Sequence, residues 1–396
     1  MTMKRVVIAI DSLKGSATSR EIGTWVQEGI AGADATLETT VVPIADGGEG
    51  TLAALLAARP GQLIVRQVTG PLGQPVAAKF AMLDATTAVI EMAEAAGLGL
   101  THQTAADALA ASTYGVGQLL LAAAELGART VYMGLGGSAT TDGGAGLAQA
   151  IGVRLEDSAG HQIPRGAQGL SQLARVDAAG INPQVAGLTI RILSDVQNPL
   201  CGPTGAAAVF GPQKGLNPAL VQAVDGWLAH YDRLLESALG EGVANRAGAG
   251  AAGGLGAGLL AFTRATVTSG IDEILRLVGF EAKLRPGTLV VTGEGRLDNQ
   301  SAAGKAPVGI ARLAKAHGLP VVAVVGSRAA KLAASYAAGI DLVLPLPAGP
   351  QTLEEALDET RANAHMVGET IARLCGLLNR QTVDAYAERP QAQQAQ

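Results

Sequence analysis

A chain of 396 residues with 48% hydrophobic content exceeds one ordinary core, which predicts two domains and excludes a disordered or repeat-tract protein. Its formal net charge of −5, with no basic cluster interleaved with aromatics, gives no general attraction to nucleic acid. Cys201 and Cys375 form no CxxC pair and the five histidines form no HExxH group, so neither a disulfide framework nor a built-in zinc site is expected.

The N-terminal stretch MTMKRVVIAIDS is too short in its apolar part for a signal peptide, and no run of about eighteen apolar residues follows. A cytoplasmic protein without a membrane span is therefore expected. The continuous apolar run 5–10 reads as a strand buried on both faces of a parallel sheet. A helix should follow, opened by the capping box Thr18-x-x-Glu21, with Ile22, Trp25, Val26 and Ile30 on one stripe. A second strand at 37–44 would close a βαβ unit.

The middle of the chain changes character. Alternating segments at 62–70, 75–83 and 88–95 predict an antiparallel or mixed sheet, and 129–134 and 188–195 read as further strands. Glycine-rich 248–258 leads into a helix. The C-terminal part returns to strand–helix alternation, with strands at 288–293, 320–326 and 340–346, helices near 304–317 and 328–337, and a last helix from about Thr352 to Leu378. The simplest organisation is one α/β domain from both chain ends, 1–64 plus 286–380, with a second domain at 65–285 inserted into it and a polar tail at 381–396. A plain tandem arrangement is the alternative.

Charged groups collect on a few loops. Asp11-Ser12-Leu13-Lys14, Asp46-Gly47-Gly48-Glu49, Ser194-Asp195 and Gly293-Glu294-Gly295-Arg296 each follow a strand-like run. In open parallel sheets, ligands gather at the carboxyl ends of strands. Any one of these loops could be an ordinary capped turn, since Asp and Gly are common turn residues; their shared placement argues for a shared site.

Three glycine motifs are weaker than they look. The run from Asn299 to Ala306 resembles a Walker A ending, but Asn299 replaces its first glycine and Ala306 stands where a hydroxyl should meet magnesium. Lys305 can still face a phosphate at a helix start. Gly134-x-Gly136-x-x-Ala139 matches a dinucleotide fingerprint loosely, yet Asp142, Gly143 and Gly144 interrupt the helix that should begin there. An anion loop with amides of Gly136, Gly137 and Ser138 turned to phosphate oxygens suits it better. Gly248-x-Gly250-x-x-Gly253 has no strand before it and is discounted.

The acids and bases fit phosphoryl transfer, which needs magnesium on hard oxygen ligands, a carboxylate near the acceptor hydroxyl and cations on the moving group. A Ser–His–acid hydrolase fits poorly, because these loops contain no histidine and the chain has no GxSxG.

The stretches DSLKGS, ADGGEGT, GLGGSATTDGGAG, SDVQNPLCGPTGAAAVFGPQKG and TGEGRLDNQSAAGKAP resemble the bacterial glycerate kinase family, in order, from about residue 4 to 378. Ile10, where a proline is frequent, is a mild departure. The resemblance implies a Rossmann-like domain and an inserted flavodoxin-like domain, ATP with Mg2+, and transfer of the γ-phosphoryl group to D-glycerate giving 2-phosphoglycerate. Two alternatives remain beside it: 3-phosphoglycerate as product, and a nicotinamide-dependent oxidoreductase of a small hydroxy acid. A glycerate sensor without turnover is a third reading. The expected partner is the small-molecule substrate, with no nucleic acid or membrane, and a homodimer is allowed.

Residue roles are assigned from chemistry. Asp195 is the general-base candidate, with Lys14 and Arg296 pairing the glycerate carboxylate or the moving phosphoryl group. Asp11, Ser12, Asp46, Gly47, Glu49, Asn198 and Asp298 form the substrate-binding set. Gly136, Gly137, Ser138, Thr141, Asp142 and Lys305 form the phosphate set, and Asp46 and Glu294 the metal ligands.

Overall fold

The first apolar run forms the strand Arg5–Ile10, buried from Val6 onward between parallel neighbours on both sides. The structure, a computed structural model, describes residues 2–298 and 305–387, of which 381–387 by backbone alone. Packing divides the chain into two units. Residues 1–46, 53–58 and 271–396 form one; residues 47–52 and 59–270 form the other.

The first unit carries a five-stranded parallel sheet in the order Leu342–Pro345, Val321–Arg328, Thr288–Leu297, Arg5–Ile10, Glu38–Val41. From Arg5–Ile10 the chain steps towards one edge, and from Thr288–Leu297 it steps towards the other. The carboxyl ends of these two central strands are therefore a topological switch point, where successive loops diverge and leave a crevice.

Helix Ser19–Ala33 has the reciprocal capping box between Thr18 and Glu21 and buries Ile22, Val26 and Ile30, while Trp25 is only half-buried. It packs on the C-terminal helix Thr360–Ala387 closely enough that a Cβ on Gly368 would stand 2.9 Å from the Gly29 Cα. Small residues at a helix crossing explain how a chain with 3% aromatics fills this core.

Three expectations shift here. The stretch from Gly293 is not a loop at its start: the strand continues through Leu297, paired Arg296 to Ser327 and Leu297 to Arg328. Gly293 serves the close approach of strands, since a Cβ on it would strike the Val324 carbonyl oxygen. The second strand is shorter than expected, Glu38–Val41, which leaves Asp46 well beyond its end. The last helix is two, Leu353–Asp358 and Thr360–Ala387.

The second unit has a six-stranded sheet ordered Arg264–Thr268, Thr189–Leu193, Thr130–Gly134, Thr87–Glu91, Pro75–Asp84, Gln62–Thr69. Its first four strands are parallel and its last two antiparallel, so the mixed sheet read from alternation is present. The long helix Pro218–Leu239 buries Val224, Leu228, Tyr231 and Leu235 at helical spacing. Glycine-rich 248–258 does lead into a helix, through left-handed backbone at Ala252, Gly253 and Gly254. Among the described residues no helix is long and apolar enough to cross a membrane.

Candidate active site

At the switch point of the first unit lies a cavity of about 450 Å³, lined among others by Asp11, Lys14, Asp46, Glu294, Arg296 and Lys305. Its geometry follows from strand pairing. The Asp11 amide donates to the Gly293 carbonyl at 2.9 Å, which continues the parallel ladder one residue past Ile10. The chain then turns at once, with the Ser12 amide donating to the Asp11 carboxylate at 2.7 Å. Ser12 also lines the cavity. Glu294, still within its strand and only 7% exposed, lies 3.6 Å from the Lys305 ammonium. Arg296 is largely exposed and lies 3.6 Å from Asp298.

Burial first, and then the charges of Asp46 and Glu294, push the Asp11 carboxyl up to about 7, against the opposing Ser12 amide and Lys14. The cavity thus holds several acids that repel one another beside three cations. Among the described residues no three His, Cys, Asp or Glu side chains could hold a metal by themselves. Magnesium does not require that, because it is usually held by one or two carboxylates together with phosphates and water. A divalent cation would also relieve the repulsion from Asp46 and Glu294 that adds to the effect of burial on Asp11, so the donor set fits that ion. Of the Asn299–Ala306 run, residues 299–304 lie outside the described residues.

In the second unit, three of the loops singled out in the sequence meet at the carboxyl edge of the sheet. Residues Gly47–Leu52 are seated on it: a Cβ on Gly47 would stand 2.5 Å from the Leu193 carbonyl, one on Gly134 2.7 Å from the Gly47 carbonyl, and one on Gly136 2.5 Å from the Gly48 Cα. Only residues without side chains allow backbones to approach so closely. Glu91, at the end of its strand, accepts from the Leu52 amide at 2.6 Å and clamps this loop. Glu49 is exposed on it. Asp195 lies just beyond Thr189–Leu193 at the same edge and is half-buried. Asn198 is occupied locally, its side-chain amide donating to the Thr204 carbonyl at 2.8 Å.

The turn after Thr130–Gly134 is pinned to residues 96–98. The Leu98 amide donates to the Gly137 carbonyl at 2.8 Å and the Ala139 amide to the Ala96 carbonyl at 2.9 Å. Those bonds leave the amides of Gly136, Gly137 and Ser138 without a backbone partner among the described residues, and Gly137 is exposed at the tip. The helix beyond starts only at Ala145, so a pyrophosphate on a helix N-terminus, as the dinucleotide reading needs, has no helix here. Thr141 and Asp142 require correction as ligand residues, because both are wholly buried. Asp142 accepts from the Thr113 amide (2.8 Å), the Thr113 hydroxyl (2.9 Å), the Gly146 amide (3.1 Å) and the Gly144 amide (3.2 Å), which makes it the brace of the turn. Lys214, unremarked in the sequence, is buried beneath the same turn and donates to Ser138 and Thr140.

Glu91 gives a stability prediction. Burial pushes its carboxyl from 4.5 up to about 7 despite the Leu52 amide. The folded state therefore keeps a proton that the unfolded chain has lost, so this group's stabilising contribution is present below about 4.5 and is lost as pH rises through about 7. Glu91→Gln should accordingly stabilise the fold at pH 8 by up to about 3 kcal/mol, seen as a higher thermal midpoint, and do little at pH 5. Equal effects at both pH values in a calorimetric scan would reject this cause.

An α/β enzyme acting on small anions is the class defined by a switch-point cavity of mixed charge and a glycine turn whose amides meet no backbone partner among the described residues. The profile of the glycerate kinase family matches residues 6–376. The chain is 41% identical to a glycerate kinase of Bacillus subtilis, over 93% of its own length and 97% of that protein. It is 40% identical to the glycerate 2-kinase of Escherichia coli, with the same coverage of 93% and 97%. A Salmonella typhimurium LT2 crystal structure assigned as glycerate kinase 2 superposes with a TM-score of 0.83 at 38% identity, covering 96% of this chain and all of that one. The chain belongs to the glycerate kinase family.

Proposed function

We propose that the protein is an ATP-dependent glycerate 2-kinase that transfers the γ-phosphoryl group of ATP to D-glycerate, giving 2-phosphoglycerate and ADP. A cytoplasmic setting, where ATP is available, fits this reading. The observation that carries it is the cavity where Asp11, Lys14, Glu294 and Arg296 converge at a switch point, in a chain of this family. Cations beside acids suit a substrate that carries both a carboxylate and hydroxyl groups. Lys14 and Arg296 are assigned to the glycerate carboxylate or the moving phosphoryl group, Arg296 with the planar fork that matches either anion. Asp11, Ser12 and Asp298 are assigned to substrate hydroxyls, and Asp46 and Glu294 to magnesium.

When bound with ATP, magnesium would neutralise the polyphosphate charge. The amides of Gly136 and Gly137 and the Ser138 hydroxyl are assigned to phosphate oxygens, with Lys305 as a further cation. The backbone of Gly47 and the exposed Glu49 complete the proposed substrate-binding set. Asp195 is assigned to hold the acceptor hydroxyl and take its proton as transfer proceeds.

Incubation with ATP, Mg2+ and D-glycerate, followed by phosphorus NMR, tests activity and regiochemistry together. A 2-phosphoglycerate signal is expected. ADP no higher than in a glycerate-free control rejects the reading, and a 3-phosphoglycerate signal corrects the position of transfer. Arg296→Ala should raise KM for glycerate roughly 10- to 100-fold, the range for losing a charge-assisted hydrogen bond. Unchanged KM and kcat would place that cation outside the substrate site.

A further inference from the structure

Lys214 is the one lysine among the described residues counted in the buried core, at 2% exposure. It sits at the end of the short turn Pro212–Lys214, and Gly215 follows with φ +111°, a left-handed conformation that glycine adopts without strain. Its ammonium donates to the Thr140 carbonyl at 2.6 Å and to the Ser138 hydroxyl oxygen at 3.1 Å. Burying a lysine is unfavourable unless something specific is gained. Here the gain is at Ser138, half-exposed at the surface of the turn, directly above it.

We propose that Lys214 is a positioning residue for nucleotide binding: from beneath the turn it holds the Ser138 hydroxyl oxygen, so that the hydroxyl proton is presented outward to a phosphate oxygen of ATP. The inference rests on the reading of Gly136–Ser138 as the phosphate-binding turn. A lysine ammonium has only donors, so the serine oxygen must accept from it. The serine proton is then the remaining donor, and a donor polarised by a cation behind it binds anions better. The bond to Thr140 fixes the other side of the turn, so one side chain sets both the shape and the charge of the loop. Desolvation pushes Lys214 down to about 7, opposed by the charge of Asp142, and a phosphate bound at Ser138 would favour the charged form in the same direction as Asp142.

The test measures ATP affinity by calorimetry and both KM values for Lys214→Met, Ser138→Ala, the double variant and Lys214→Arg, with thermal midpoints alongside. Lys214→Met and Ser138→Ala should each weaken ATP binding and raise KM for ATP roughly tenfold or more, the range for losing a hydrogen bond to a charged group, while KM for glycerate stays within about twofold. The double variant should be no worse than Lys214→Met alone, because both act through one hydroxyl. Lys214→Arg should recover part of the affinity.

Additive losses, or Ser138→Ala binding ATP as the parent does, overturn the proposal; the half-exposed serine makes this arm independent of whether Lys214→Met folds. Failure of the parent protein itself to bind ATP or phosphorylate glycerate would instead reject the function on which the proposal rests.

Discussion

Asp195→Asn should lower kcat about a hundredfold or more, the usual loss for an acid–base group, while ATP affinity stays close to that of the parent protein. Asparagine keeps the size of the side chain and one acceptor oxygen, so the loop after Thr189–Leu193 should keep its course. What it loses is the carboxylate that the proposed role needs in order to take up a proton from the acceptor hydroxyl at neutral pH. Two other carboxylates of the second unit are poorer candidates for geometric reasons. Asp142 is wholly enclosed and saturated by four donors. Glu91 is 7% exposed and tied to the Leu52 amide. Steady-state kinetics beside calorimetric ATP titration separates the two quantities. Turnover within a few-fold of the parent would remove Asp195 from the role.

The elements legible in the sequence were those whose pattern is local. The unbroken apolar run before Asp11 could only be a strand covered on both faces, and Arg5–Ile10 is that. The spacing Thr18 to Glu21 stated a helix start because the capping box is closed within four residues, and the cap is present. Alternation from Gln62 onward announced the antiparallel pair at the edge of the mixed sheet. The family resemblance, carried by long motifs in order, agrees with the profile match over residues 6–376.

What escaped the sequence depends on neighbours distant along the chain. Gly293-Glu294-Gly295-Arg296 looks like a turn because glycines and charges interrupt the apolar run. It is strand because Val321–Arg328 supplies the partner and needs a glycine at 293, where a side chain would strike Val324. Asp142 before two glycines reads the same whether it faces solvent or lies enclosed. Only the return of Ala251–Phe262 over the turn, where the Gly143 amide donates to the Gly253 carbonyl at 3.0 Å, decides between them. Lys214 in GPQKG has the look of a surface lysine on a turn. The left-handed Gly215 that follows was the available signal, and it says where the chain bends, not which way the lysine points.

Asp142→Ala should cost about 3–5 kcal/mol of folding stability, the range for breaking a buried, hydrogen-bonded charge. The reason is the character of its partners. Three are backbone amides, and the fourth, the Thr113 hydroxyl, already accepts from the Leu147 amide at 2.9 Å and so donates its own proton to Asp142. Burial pushes the Asp142 carboxyl up, yet four converging donors favour the ionised form, which accepts from all of them. Alanine would leave those donors without an acceptor and the nearby buried Lys214 without the negative charge that opposes its desolvation. Asp142→Asn should fall between the parent and alanine, because its amide group turns a donor towards donors. Against a total stability of about 5–15 kcal/mol, that is a loss of at least about a fifth. Urea unfolding with an unchanged slope measures the difference, and a loss under about 1 kcal/mol would mean that the amides of this turn find other acceptors and that Asp142 does not hold it together.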